Sequence, residues 1–239
     1  MDVPYPKLEI DLAVNPSKVT NKILNDINIL KPFGVGNPEP IFALNDVKLK
    51  KIMPLSKGLH TKIIVERENF SLEVLCFNQK TDEFLYDEGE IVDVAVTFSK
   101  NEYRGVSKLS SMLLNIKLSG LEFKKVIDCK KNYEKFKRGE KLTKKETQVL
   151  IPSREDFVAV YKYFLNRKNI ITRADILSYR IFKDASYFGK ICVILDILHE
   201  QNLINLVKNS DELKITINET KDKVDLNKSK IMMLLKGEI

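Results

Sequence analysis

The residues in this chain that could break or form bonds are few, and those that could hold phosphate are many. His60 and His199 are the only histidines, and neither pairs with the other or with a cysteine at metal-ligand spacing. No serine sits in a nucleophile-elbow motif, and no aspartate cluster suits a two-metal site. Glu155 and Asp156 open an amphipathic stretch, where acids complement a helix dipole. His199 reads as structural or as a cation at a helix C-terminus, and His60 as a phosphate contact or an exposed turn residue. The cations are more informative. Forty Lys and Arg against thirty-three Asp and Glu give a net charge of +7. Residues 1–119 hold fifteen and sixteen of them, and residues 120–239 hold twenty-five and seventeen. Lys124 to Lys145 alone carries ten basic residues and three acids, a net of +7. Lys124, Lys125, Lys130, Lys131, Lys137 and Arg138 are its candidate phosphate contacts, and Tyr133 and Phe136 interrupt it. Such a run either tracks a phosphate backbone with rings for stacking or is a solvated helix or linker.

The elements that must position these groups follow from composition and pattern. A length of 239 residues suits one or two domains, and 44% hydrophobic residues suffice for a core. No apolar run approaches the roughly 18 residues of a membrane span, and the N-terminus lacks signal-peptide character. Cys76, Cys129 and Cys192 lie far apart with no CxxC pair, which argues against a disulfide framework or zinc site. That usage fits a reducing cytoplasm.

Leu8 to Leu12 reads as a short strand. Asn15-Pro16 predicts a capped helix start, with Val19, Ile23, Leu24, Ile27 and Leu30 on one face. Pro32 to Pro40 holds three prolines and two glycines in nine residues, which predicts a rigid connector. It is not a P-loop, since no Gly-Lys-Ser/Thr follows. Strands are predicted over Phe42–Ile52, Thr61–Glu66, Ser71–Phe77, Ile91–Ser99 and Gly105–Ile116. Phe77, as the end of an alternating strand, reads as core. Five short strands in this length predict a small closed barrel, with the OB-fold as leading candidate. Residues 119–152 read as a basic linker or helical segment. Ser153 with Asp156, Thr172 with Asp175, and Ser186 then signal three helices. Leu203–Val207 and Leu213–Ile217 follow as strands about Asn209-Ser210-Asp211, and a helix at Ser229–Leu235 docks back. This helix–helix–helix–strand–strand order is that of a winged helix. The expected fold is therefore mixed α and β: a tail and connector (residues 1–40), an OB-like barrel (41–118), the basic segment, and a winged-helix-like α+β domain (153–239).

The run Leu30-Lys31-Pro32-Phe33-Gly34-Val35-Gly36-Asn37-Pro38-Glu39-Pro40-Ile41-Phe42 resembles the signature entering the OB domain of the RecJ family, single-stranded-DNA-specific 5′→3′ exonucleases. Leu8-Glu9-Ile10-Asp11, His60-Thr61-Lys62, Phe77-Asn78 and Asn101-Glu102-Tyr103-Arg104-Gly105 fit the same pattern in order, over about residues 8–118. Two departures stand out. Leu109-Ser110-Ser111-Met112 occupies a region where the family often reads Gln-Leu. The family's Asp-His-His and Gly-Gly-His catalytic motifs are absent.

The resemblance implies the C-terminal portion of a RecJ-like enzyme of DNA repair and recombination, with Met1 as an artificial boundary or the start of a truncated gene. It implies no catalytic residue and no cofactor in this chain. Manganese or magnesium is expected in the missing catalytic domains. The partner it implies is single-stranded DNA. The barrel's candidate contacts are Lys62, Lys100, Asn101, Tyr103, Arg104 and Lys108, with His60 and Asn78 behind them. A second reading makes the C-terminal domain a protein-docking module for a single-stranded-DNA-binding protein or a helicase. Arg173, Arg180, Lys183 and Lys190 would then line a basic pocket. No membrane partner is expected.

Overall fold

The computed structural model describes residues 7–20, 22–103, 106–167, 169–219 and 224–238; the side chains of residues 102–107 lie outside that description. The chain divides into two compact units, residues 1–119 and 120–239.

In the first unit, β1 (Leu12–Ala13) runs parallel to the start of β2 (Phe42–Leu55). Asp11 fastens this corner: its amide donates to the Ile41 carbonyl, and its carboxylate accepts the Ile41 amide at 2.8 Å. The single helix expected after Asn15 is broken. Asn15 does cap, accepting the Ser17 amide at 3.1 Å, but only over the 3-10 turn Pro16–Lys18. The chain turns helical again as α1 (Lys22–Ile29), after Thr20 accepts the Lys22 amide. Val19, Leu24 and Ile27 are buried as their spacing predicts, whereas Leu30 is exposed. The proline-glycine connector closes on itself. Gly34 and Asn37 exchange amide–carbonyl bonds, and Asn37 Nδ2 donates to the carbonyls of Leu30 (2.6 Å) and Pro32 (2.9 Å). The central Asn of the signature thus holds the loop that aims β2.

The barrel is built from β2, β3 (His60–Arg67), β4 (Phe70–Cys76), β5 (Ile91–Tyr103) and β6 (Val106–Leu118). The first half of β2 pairs with β5 and its second half with β3. Two register shifts, between Leu44 and Val47 and between Leu49 and Lys51, let one strand serve both neighbours by bending it. The ring β2-β3-β4-β6-β5 closes back on β2, the five-strand closure of an OB-fold. Its weakest seam joins β4 to β6 in parallel at Leu75 and Met112, and the Ser111 hydroxyl braces it by donating to the Glu73 carbonyl. Leu44, Val47, Leu49, Ile63, Val65, Val74, Val92 and Val96 fill the interior. β5 and β6 run past the barrel as a long arm, so Asn101, Glu102 and Tyr103, which lie beyond the predicted end of the strand at Ser99, are strand.

The second unit contains α2 (Phe123–Lys137), α3 (Lys144–Leu150), α4 (Arg154–Leu165), β7 (Asn169–Thr172), α5 (Ala174–Phe182), α6 (Phe188–Glu200), β8 (Ile204–Asn209), β9 (Glu212–Ile217) and α7 (Lys230–Lys236). β7, β9 and β8 form an antiparallel sheet in that order. The Ser153–Asp156 capping box is present. The other two expected caps are not. Thr172 ends β7, a strand of four residues too short to show alternation, and Asp175 instead receives the Arg173 guanidinium. Ser186 lies in a 3-10 turn that Asp184 caps, one step before α6. α6 is the unit's central helix, with Ile191–Leu195, Ile197 and Leu198 buried. α2, α3 and α7 all pack against it. At the α2–α6 crossing a Cβ on Gly189 would meet the Cys129 carbonyl at 3.2 Å and the end of the Leu150 side chain at 2.6 Å, so a larger residue there would have to push α2 and Leu150 aside. Of the segment read as a basic linker or helix, residues 120–152 are helical over α2 and α3 and pack within the second unit, while Ser119 belongs to the first.

Candidate nucleic-acid interface

Alternation along β3 and β4 sends Thr61, Ile63, Val65, Leu72, Val74 and Cys76 inward. The same period sends Lys62, Ile64, Glu73 and Leu75 outward. On that outer face a groove of about 730 Å³ runs between β3–β4 and the β5–β6 arm. Val19 and Thr20 flank it, and Lys62, Ile64, Leu75, Asn101, Lys108 and Ser110 are among its lining. This is the face, strands two and three with the loop between four and five, on which OB-folds carry oligonucleotides. Of the residues expected from sequence, the groove gathers Lys62, Asn101 and Lys108. Lys62 Nζ lies 3.5 Å and Lys108 Nζ 3.9 Å from the Glu73 carboxylate. Lys100 is exposed on β5 and is not among the groove's described lining. The side chain of Tyr103 and the whole of Arg104 lie outside the described residues.

His60 and Asn78 are structural partners first. The Asn78 backbone amide donates to His60 Nδ1 at 3.0 Å, which leaves Nε2 without a hydrogen bond among the described residues. Asn78 takes a left-handed backbone (φ 57°), so the bond pins the turn after β4. Beside it is a residue the sequence reading misplaced. Phe77 is 52% exposed, and the His60 ring meets it edge-on at 5.4 Å. Cys76 takes the inward position expected for Phe77. Burial pushes the Cys76 thiol up to about 12, so at neutral pH it is an inert thiol in the barrel core. The parity of Leu72, Val74 and Cys76 was the available signal, since it assigns Phe77 to the outer face alongside Leu75.

Part of the basic segment is paired within its own unit. Lys130 pairs with Asp211 at 3.1 Å, Lys125 with Glu122 at 2.6 Å, Lys135 with Glu146 at 2.7 Å, and Arg138 with Glu140. Asp196 on α6 receives three groups at once: Tyr133 Oη at 2.7 Å, Lys137 Nζ at 3.0 Å and Lys208 Nζ at 2.7 Å. Burial pushes the Asp196 carboxyl up, but the hydrogen bonds and charges of Lys208, Tyr133 and Lys137 outweigh it and hold it below the usual carboxylate range. Burial and the adjacent Asp196 charge together push the Tyr133 hydroxyl up. Tyr133 and Phe136, read as stacking rings, pack against the core of this unit. Lys124 and Lys131 remain on the surface.

The four residues expected to line a basic pocket are dispersed over α5 and α6. Arg173 binds Asp175 through Nε (3.0 Å) and Nη2 (2.6 Å). Lys190 lies 3.2 Å from Asp156 and 4.7 Å from the Tyr187 ring centroid. Lys183 occupies the left-handed C-cap of α5, and Arg180 its last turn. His199 Nδ1 sits 3.2 Å from the Ile204 carbonyl, a structural contact. Among the described residues, no group of three or more His, Cys, Asp or Glu could hold a metal ion. Among them, too, no helix is long and apolar enough to cross a membrane.

Residues 10–115 match the family described as the RecJ OB domain, which bears out the resemblance seen in the proline-glycine signature. The single-stranded-DNA-specific exonuclease RecJ of Bacillus subtilis (strain 168) is 24% identical over 115 residues, covering 48% of this chain and 15% of that protein. Two crystal structures of RecJ from Thermus thermophilus are also similar. The complex with Mg2+ is 25% identical with a TM-score of 0.36, covering 45% of this chain and 16% of that one. The complex with Mn2+ is 24% identical with a TM-score of 0.33, covering 40% and 13%. The chain thus spans less than a fifth of these relatives' length.

Proposed function

We propose that the first unit, which carries a RecJ-type OB domain, binds single-stranded DNA along its outer groove as a non-catalytic part of a RecJ-like 5′→3′ exonuclease. One observation carries this reading: Lys62, Asn101 and Lys108 converge on the oligonucleotide-binding face of an OB barrel. Lysines supply phosphate contacts, and Phe77, exposed just beyond the end of β4 and outside the groove's described lining, supplies a ring for a base. Bond chemistry belongs to the metal-dependent domains expected beside such a barrel, for which manganese or magnesium is the anticipated cofactor. Residues 1–119 sum to a net charge of −1, so the expected binding is modest and steeply salt-dependent. Fluorescence anisotropy of a labelled oligothymidine should show binding at about 50 mM salt that is lost by about 200 mM. No binding at the lower salt would defeat the reading.

A second reading concerns residues 120–239. The order α4, β7, α5, α6, β8, β9 is that of a winged-helix domain, yet its would-be recognition helix, α6, is buried under α2, α3 and α7. That arrangement favours protein docking over duplex readout. A groove of about 560 Å³ between α2, α3 and α7 is lined by Phe136, Leu142, Ile231, Leu234 and Leu235, with Lys236, the Asp196-bound Lys137 and the Arg138-paired Glu140 also in its lining. An acidic peptide with an apolar end, of the kind a single-stranded-DNA-binding protein or a helicase could present, suits it. Such a peptide should bind the full chain and lose affinity on Leu234→Glu, because Leu234 is exposed in the groove. Equal binding by the variant counts against this docking site.

A further inference from the structure

The groove carries its own competitor for phosphate. Glu73 is the one acid among its described lining residues, and Lys62 and Lys108 are its two lysines. The carboxylate spans them, with Oε1 3.5 Å from Lys62 on β3 and Oε2 3.9 Å from Lys108 on β6. Both separations are long for an ion pair, and Glu73 is half exposed. Such surface pairs add little to folding. The seam between β4 and β6 does not need this side chain, since the Ser111 hydroxyl is bound by the Glu73 backbone carbonyl. What the carboxylate does affect is an anion arriving between the lysines.

The geometry points to Glu73 as a built-in anion that occupies the phosphate positions of the groove and sets a weak, salt-sensitive grip. The inference rests on the single-stranded-DNA reading above. A phosphate reaching Lys62 or Lys108 must displace the carboxylate or sit beside a like charge, and either route weakens binding. Removing the charge while keeping the shape frees both lysines. The arrangement also accounts for a groove that holds two lysines within a unit of near-neutral charge. A strand held this loosely can advance through the groove without a slow release at each step.

The experiment compares the wild-type chain, Glu73→Gln, Glu73→Ala, and Glu73→Gln combined with Lys62→Ala. The probe is a labelled oligothymidine, titrated at several salt concentrations, with thermal midpoints recorded for each protein. Glu73→Gln and Glu73→Ala should both bind about tenfold tighter at low salt. The slope of log affinity against log salt should steepen by roughly 0.7 for each further phosphate that a freed lysine neutralises. Adding Lys62→Ala should remove much of the increase in affinity. If wild type binds and both single variants bind equally or more weakly at an unchanged thermal midpoint, the competitor role is overturned while the binding site stands. If no protein binds at the lowest salt, the single-stranded-DNA reading itself falls, and the competitor role with it.

Discussion

Asp196→Ala should cost the second unit about 3 kcal/mol, the low end of the range for removing one partner of a buried ion pair. The low end applies because Lys137 and Lys208 are 50% and 41% exposed, although Asp196 itself is only 9% exposed. Loss of the carboxylate leaves two ammonium groups and the Tyr133 hydroxyl facing one another without their acceptor. It also removes the carboxylate that fastens α6 to α2 and β8, leaving the Lys208–Tyr133 hydrogen bond of 3.3 Å between β8 and α2. A fall in thermal midpoint of about 10 °C is the expected scale for a unit of this size. The pH dependence makes the test specific. Because the folded pKa of Asp196 lies below the ordinary value of 3.8, its contribution is fully present above that value. It is lost as pH falls through the depressed folded pKa. Glu146 is held at about 2 by Lys135 and Thr143 and adds acid sensitivity in the same direction. The difference between wild type and Asp196→Asn isolates the Asp196 part. Urea midpoints measured from neutral pH to about pH 3 should show the wild type falling more steeply. Parallel curves would mean that folding does not depress the Asp196 pKa.

Phe77→Ala should weaken binding of an oligothymidine by about 1–3 kcal/mol, the usual worth of one base stacked on a ring. In dissociation constants that is roughly 5- to 150-fold. The ring is half exposed and lies just past the end of β4, so the thermal midpoint should stay near that of the wild type. Stacking is not a phosphate contact. The salt slope should therefore be unchanged by Phe77→Ala, whereas Lys62→Ala added to Glu73→Gln, where the lysine is freed, should flatten it by roughly 0.7. Phe77→Trp should retain or improve affinity. An unaltered affinity in Phe77→Ala would remove the base platform from the site and leave a groove that reads only phosphates.

Much of the fold was open to sequence reasoning because its signals are local. Alternating apolar residues such as Ile63, Val65, Val92, Val94 and Val96 report a barrel interior directly. Asn15, Ser153 and Ser229 each cap the element that they precede. The missed pieces were short or depended on neighbours. β7 has four residues, and it is a strand because β9 pairs with it. The helix after Asn15 breaks at Thr20, where a side-chain hydrogen bond restarts it. The site was harder to read. Lys62 and Lys108 are 46 residues apart, and the Glu73 between them could not be assigned to either lysine from the chain alone.

By itself the sequence determined the barrel and the signature leading into it. It also determined where the surplus charge lies along the chain. The tertiary structure decided what that charge does. Lys130, Lys137 and Lys208 answer acids that only folding brings near: Lys137 meets Asp196 from 59 residues away, and Lys130 meets Asp211 from 81. A count of charges is additive along the chain, but the field that a ligand meets depends on which cations are already neutralised within about 4 Å. That is why part of the most basic stretch of sequence pairs with acids of its own unit, while a near-neutral barrel kept the groove.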